Sequence, residues 1–205
     1  AFRLADRVAE ECQLSLPQDL EYRFPEPPGT DALRELRLLC EAAARRRYGQ
    51  LAPRVRERLE RELALIERHR LAGFFLLYHR IAQEARRVLV ELGLRDAELP
   101  LEAAPVARGR GSSVAMLVGY LIGLSHIDPL EYDLGLERFL PQDRLVRPPD
   151  IDLDLPREAR EELIRRLLAL FGEGAALVGM TATYRLRGAV RDLGLALSLP
   201  GEEVD

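Results

Sequence analysis

Lysine is absent from this sequence: all 30 basic side chains are arginines. That excludes a phosphate loop of the Walker A type, which needs its lysine. A GC-rich genome is the simplest cause of the bias. Arginine presents planar, bidentate donors that suit phosphate, so nucleotide chemistry stays open. Tryptophan is absent too and aromatic residues make up 6%, which leaves no aromatic-rich surface for stacking bases. The two cysteines, Cys12 and Cys40, sit among apolar residues and form no metal or redox motif. Buried free thiols in a reducing cytoplasm are expected. His69, His79 and His126 have no second ligand at metal spacing, and no Ser-His-Asp or Cys-His set is visible. The longest apolar runs, such as VAMLVGYLIGL, reach about half a membrane span, and no N-terminal signal pattern is present.

What remains is a folded, charged chain. With 205 residues, 47% hydrophobic and 31% charged, it can bury one good core and carry a small second lobe. The net charge of -4 argues against a purely electrostatic nucleic-acid binder but leaves room for a local basic channel. No internal repeat is visible. The chain starts without an initiator Met and stops at GEEVD, so a piece of something larger is expected.

The first half reads as helices. Residues 1–12 have a helical pattern, followed by a Pro-rich connection. Thr30 or Asp31 can cap a helix to about Arg47, with Leu33, Leu36, Cys40 and Ala43 or Ala44 on one stripe. A second helix is expected over 55–70, apolar at Val55, Leu59, Leu63 and Ile66, with its Glu and Arg residues on solvated faces and Gly73 as its breaker. A third, FFLLYHRIAQEARRVLVELG, is apolar over a wide arc and ends at Gly93. The second half is mixed. AAPVA reads as a strand, RGRGSS as a turn into a helix over 114–124, and LGLERFL and IDLDL as strands. A helix over 157–171 closed by Gly172, a buried strand in AALVGMTAT and a final helix in YRLRGAVRDLGLALSL complete the pattern. The fold class expected is α+β.

Two stretches can carry chemistry. In RGRGSS, Gly109 and Gly111 allow a tight turn with unhindered N–H groups, and a helix opening at Ser112 or Ser113 would add its positive end. Arg108 and Arg110 flank it. The stretch fits a phosphate cradle, or equally a strand-to-helix turn that needs glycine for geometry. In DIDLD, Asp150, Asp152 and Asp154 alternate with apolar residues. Aspartate is a poor strand former and like charges on one face repel, a conflict that a bound cation can resolve. Alternate residues lie roughly 6.6 Å apart at Cα, close enough to converge on ions about 3.5–4 Å apart. Oxygen ligands without His or Cys select Mg²⁺ or Mn²⁺ over zinc. The alternative is a polar edge strand of solvated carboxylates. Arg138 falls on the apolar parity of LERFL, either snorkelling or paired with an anion. Near the end, Arg187 and Arg191 lie four apart with Arg185 alongside. They suit a nucleic-acid backbone, or a solvated face paired with Asp192.

A glycine-rich phosphate turn, then an arginine on a strand, then Asp-x-Asp resembles the palm of bacterial family C DNA polymerases, the replicative polymerase III alpha subunit and its error-prone relatives. The resemblance runs through FFLLYHRIAQEAR, GRGSSVAMLVGYLIGLSHIDPLEYDLGLERFL, PPDIDLD and YRLRGAVRDLGLALSLP, and covers essentially the whole chain. The last block looks more like the error-prone branch. The resemblance implies a nucleotidyltransferase palm of the polymerase beta type with a mixed sheet. It implies a helical segment over 1–100 joining a PHP domain to the palm, the palm over 101–180, and the start of a helical thumb over 181–205. By the same resemblance Asp150 and Asp152 are catalytic and hold two Mg²⁺ ions (Mn²⁺ as a substitute). Gly111, Ser112 and neighbouring Arg110 would meet the nucleotide phosphates together with Arg138, with Asp154 in support. The implied substrates are primer–template DNA and a deoxynucleoside triphosphate. The implied partners are the remaining PHP, thumb and fingers parts and, through regions outside this chain, a sliding clamp. A cytoplasmic bacterial enzyme with no membrane association is expected.

Two departures stand out: Arg108 and Leu155 replace the family's usual Pro and Phe. The family's third catalytic aspartate and a phosphate-binding lysine would lie beyond Asp205, so the chain alone is expected to be inactive. The rivals are a non-catalytic polymerase-like scaffold and a nucleotidyltransferase acting on a small molecule. The latter typically shows Gly-Ser close to Asp-x-Asp, whereas roughly forty residues separate Ser112 from Asp152 here.

Overall fold

A computed structural model describes residues 2–11, 31–50, 52–137, 139–141, 149–179, 181 and 183–200. Cys12, Thr30, Arg138 and Met180 lie outside the described residues. The chain divides into two compact units, Ala1–Leu170 and Phe171–Asp205.

Helix α1 spans Phe2–Glu11. Helix α2, Ala32–Tyr48, is capped by Asp31, whose Oδ1 accepts the Arg34 N–H at 3.0 Å. Its buried stripe is Ala32, Leu36, Cys40, Ala43 and Ala44, the i, i+4, i+8 spacing of one helical face. Burial pushes the Cys40 thiol far above its ordinary range, which makes it an inert core residue. Helix α3, Pro53–Arg68, opens on a proline at its first turn, where the missing N–H costs nothing. Its buried face carries Val55, Leu59, Leu63 and Ile66 as expected, together with Leu65 and one carboxylate, Glu62.

Helix α4 runs Ala72–Glu91. Gly73 is buried inside it and breaks nothing, contrary to expectation. The break falls earlier, at Arg70, whose φ of 54° reverses the chain. At the far end Gly93 adopts φ 70° and donates to Val90 O at 2.9 Å, while Leu94 N donates to Leu89 O at 2.8 Å. Paired bonds of this kind satisfy the last carbonyls of a helix. Phe74 and Phe75 pack edge to face, 5.4 Å between centroids, and Phe75 meets Phe139 at 6.3 Å. These helices share one core with Met116, Leu117, Leu121, Leu136, Leu140, Ile151, Ala159 and Leu163. Residues separated widely in sequence therefore fold as one body.

The second half contributes β1 (Arg108–Arg110), a 3-10 turn over Gly111–Ala115, and the short helix α5 (Leu117–Leu121). Strand β2 (Asp152–Asp154), helix α6 (Arg160–Phe171) and helix α7 (Leu186–Ala196) follow. Gly172 (φ 51°) closes α6 as expected. Among the described residues the only sheet is the antiparallel pair β1–β2, in a helix-rich α+β chain.

Three expected strands are not strands. AAPVA forms turns, and pairing begins only at Arg108. Around Leu136 the chain makes a tight turn in which Phe139 and Leu140 N–H groups donate to Leu136 O. Leu136 and Leu140 are buried by that turn rather than by strand parity. Residues 175–179 are irregular and mostly exposed, Val178 to 96%. No helix of the described residues is long and apolar enough to cross a membrane.

Candidate active site

Antiparallel pairing joins the two chemical stretches. The register sets Arg108 opposite Asp154, Gly109 opposite Leu153 and Arg110 opposite Asp152. Asp152 and Asp154 share the exposed face of β2 with Arg108 and Arg110 across the ladder, and Leu153 turns towards the core. Cross-strand arginines therefore offset the repulsion between alternate aspartates. Arg110 Nε lies 3.0 Å from Asp154 Oδ2. Asp150 precedes the strand and is exposed, and Ile151 between it and Asp152 is buried.

The two glycines do different work. Gly109 N donates to Leu124 O at 3.0 Å, and a Cβ there would sit 2.6 Å from that oxygen. Gly111 lies in open space but at φ 71°, a conformation that side chains resist. It reverses the chain after β1, and the Ser113 hydroxyl donates to Arg110 O at 2.8 Å across the turn. Ser112 stays partly exposed at the apex.

The expected continuous helix from Ser112 is absent. The 3-10 turn ends at Ala115, Met116 is extended, and α5 starts at Leu117. The first free N–H groups of α5 are already bonded. Leu117 N and Val118 N donate to the two Glu62 carboxylate oxygens at 2.9 and 2.8 Å. Arg58 Nε donates to Glu62 Oε1 at 2.6 Å and its NH2 to Ala115 O at 2.7 Å. Glu62 is 0% exposed, so it does not belong to a solvated face. Burial raises its pKa while Arg58 and the two amides pull it back down.

Behind the aspartates, the Tyr78 hydroxyl of α4 accepts the Ile151 N–H at 3.3 Å. Burial, chiefly, raises that phenol's pKa, with Asp150 and Asp152 adding to it. Both Glu62 and Tyr78 escape a reading by motif. The signal for Glu62 is its spacing: 55, 59, 62 and 66 is itself a heptad face. Tyr78 lies four residues after Phe74 on the same buried side, and its ring packs 4.9 Å from that of Phe74.

The histidines serve structure. His69 and His79 bond the carbonyls of Pro141 and Ile122. Burial, followed by the nearby arginines 108, 95 and 47, lowers the pKa of His126, against the opposing pull of the Ala107 backbone. In the C-terminal unit, Arg185 precedes α7 with an extended backbone and no side-chain cap bond, and Arg187 and Arg191 are exposed along that helix.

Asp150 and Asp152 offer accessible oxygen donors of the kind hard divalent cations take. Among the described residues no group of three or more His, Cys, Asp or Glu side chains could hold a metal by itself. Two carboxylates alone supply fewer oxygens than the six ligands a Mg²⁺ ion takes.

Residues 34–205 match the family model for the bacterial DNA polymerase III alpha NTPase domain. The chain is 37% identical over 204 residues to the error-prone DNA polymerase of Pseudomonas paraeruginosa, covering 97% of this chain and 18% of that protein. It is 35% identical to the error-prone DNA polymerase of Methylococcus capsulatus, with the same coverage. Against error-prone DNA polymerase 2 of Rhizobium meliloti it is 36% identical, over 94% of this chain and 17% of that one. The chain thus belongs to the bacterial DNA polymerase III alpha family. It spans about a fifth of the length of these relatives.

Proposed function

We propose that this chain carries the nucleotide-binding and part of the metal-binding face of an error-prone type bacterial DNA polymerase. The reaction is transfer of a deoxynucleotide from its triphosphate to a primer 3′ hydroxyl. The single observation behind this reading is the β1–β2 register, which sets the Gly-Ser turn beside the Asp-x-Asp strand. The division of labour is a nucleotidyltransferase palm over 101–180, a helical connector over 1–100 and the start of a thumb from 181. The location is the bacterial cytoplasm.

In this reading the Gly111 N–H and the Ser112 hydroxyl bind the triphosphate, and Arg110 and Arg138 balance its charge. Asp154 orients Arg110 through their ion pair. Asp150 and Asp152 hold the divalent cations, and the buried Ile151 between them fixes both carboxylates to the core. Bound Mg²⁺, or Mn²⁺ in its place, would activate the 3′ hydroxyl and stabilise charge on the leaving pyrophosphate. Arg185, Arg187 and Arg191 present positive charge to the DNA backbone. The PHP, fingers and remaining thumb parts, a further aspartate and a lysine belong to the rest of the protein, as does clamp binding. The 205 residues alone are therefore inactive.

The test is primer extension by the full-length parent carrying Asp150→Asn and Asp152→Asn, alongside Mg²⁺-dependent binding of a deoxynucleoside triphosphate. Loss of extension by at least about a hundredfold with retained folding is expected. Unchanged extension would overturn the reading and leave the scaffold alternative standing.

A further inference from the structure

We infer that Glu62 is a positioning residue for the nucleotide-phosphate turn. The inference rests on the reading of Gly111 and Ser112 given above and deepens it. The turn over Gly111–Ala115 is held at both ends. At its front, Gly109 is bonded to Leu124 and the β1–β2 ladder fixes Arg108 and Arg110. At its rear, Glu62 and Arg58 of α3 grip the chain from Ala115 to Val118 with three hydrogen bonds, and a fourth joins the two side chains.

Leu117 and Val118 are fully buried, so their N–H groups need acceptors, and an apolar side chain at 62 would leave both unpaired. A local Ser or Asp would serve as an ordinary cap, yet here the cap comes from another helix, 55 residues back. Glu62 thereby fixes the height of the turn from its rear end.

The experiment compares dNTP KM and kcat of the full-length protein with those of Glu62→Gln, Arg58→Met, Ser112→Ala and Glu102→Gln. Glutamine keeps the shape of Glu62 but has one acceptor oxygen, so one α5 amide loses its partner. Glu102 is another buried carboxylate, paired with Arg46, and controls for the loss of a buried charge. For Glu62→Gln the dNTP KM should rise about tenfold, with kcat within about twofold, DNA affinity unchanged and circular dichroism unaltered. Glu102→Gln should leave the dNTP KM alone. If Glu62→Gln does not fold, Arg58→Met decides, because it frees Ala115 O while both α5 amides keep their carboxylate; a raised dNTP KM is again expected. A raised KM in Ser112→Ala with none in Glu62→Gln or Arg58→Met would overturn the role of Glu62 alone. No change in Ser112→Ala would overturn the phosphate turn itself, and Glu62 with it.

Discussion

At the scale of single residues, two glycines two positions apart differ in what forbids a side chain. Gly111 is constrained by conformation: its φ is 71° and nothing lies within 4 Å of the place a Cβ would take. Gly111→Ala should therefore destabilise by about 1 kcal/mol, the usual cost of a left-handed alanine. Gly109 is constrained by space, since its Cβ would press on the Leu124 carbonyl that accepts its own N–H. Gly109→Ala must separate β1 from that carbonyl and should cost about 2–3 kcal/mol. Urea denaturation of the two variants checks the order, and equal losses would mean that the close approach at Leu124 relaxes freely. Gly111 is legible as a turn residue in RGRGSS, whereas Gly109, expected in the same turn, sits mid-strand in β1. A sequence shows local flexibility, whereas the Leu124 carbonyl arrives from fifteen residues away.

At the scale of elements, the long helices are legible because each carries its own apolar period, although the break after α3 falls at Arg70 rather than at Gly73. Asp31 and Gly93 mark boundaries that the structure keeps. The short elements are not legible, since three-residue strands and a one-turn helix are set by tertiary partners rather than by propensity. Thus AAPVA loses its strand to the next three residues, whose aspartate partners lie beyond residue 150. Glu62 is hidden for the same reason, because its partners at Leu117 and Val118 are remote. The seam between α4 and α6 shows an ion network with a measurable consequence. Arg166 spans Glu162 of its own helix and both carboxylate oxygens of Glu91 on α4. Arg165 first, then Arg166, pull the Glu162 carboxyl down to about 2. A lowered folded-state pKa contributes stability above the ordinary carboxylate range that is lost as pH falls towards 2. Because the groups are exposed, that contribution is small and screened by salt. Carboxyl NMR should give Glu162 a midpoint near 2, rising towards the ordinary range in Arg165→Gln and in high salt. A midpoint at the ordinary value in dilute buffer would mean that these ion pairs do not persist in solution.

At the scale of the whole molecule, the two units are built differently. Residues 1–170 enclose a continuous core, from Leu36 on α2 to Leu163 on α6. In the C-terminal unit the apolar side chains of α7 point outward instead. Leu186, Val190, Leu193 and Leu197 recur at helical spacing, and all are exposed, Leu186 to 83%. Such a stripe is an amphipathic face left uncovered within its own unit. A direct consequence concerns the isolated 205 residues. Exposed leucines at helical spacing bind anilinonaphthalene sulfonate, a dye that reports apolar surface, whereas a closed core does not. The 205-residue chain should therefore enhance dye fluorescence strongly, and a chain ended at Gly174 should do so weakly. Both should melt within about 3 °C of each other, because stability resides in the first unit. Equal dye binding would place the open surface within residues 1–174. A large fall in melting temperature would mean that the C-terminal residues stabilise the first unit in solution. Dye confined to the longer chain with equal melting would place the open apolar surface on α7.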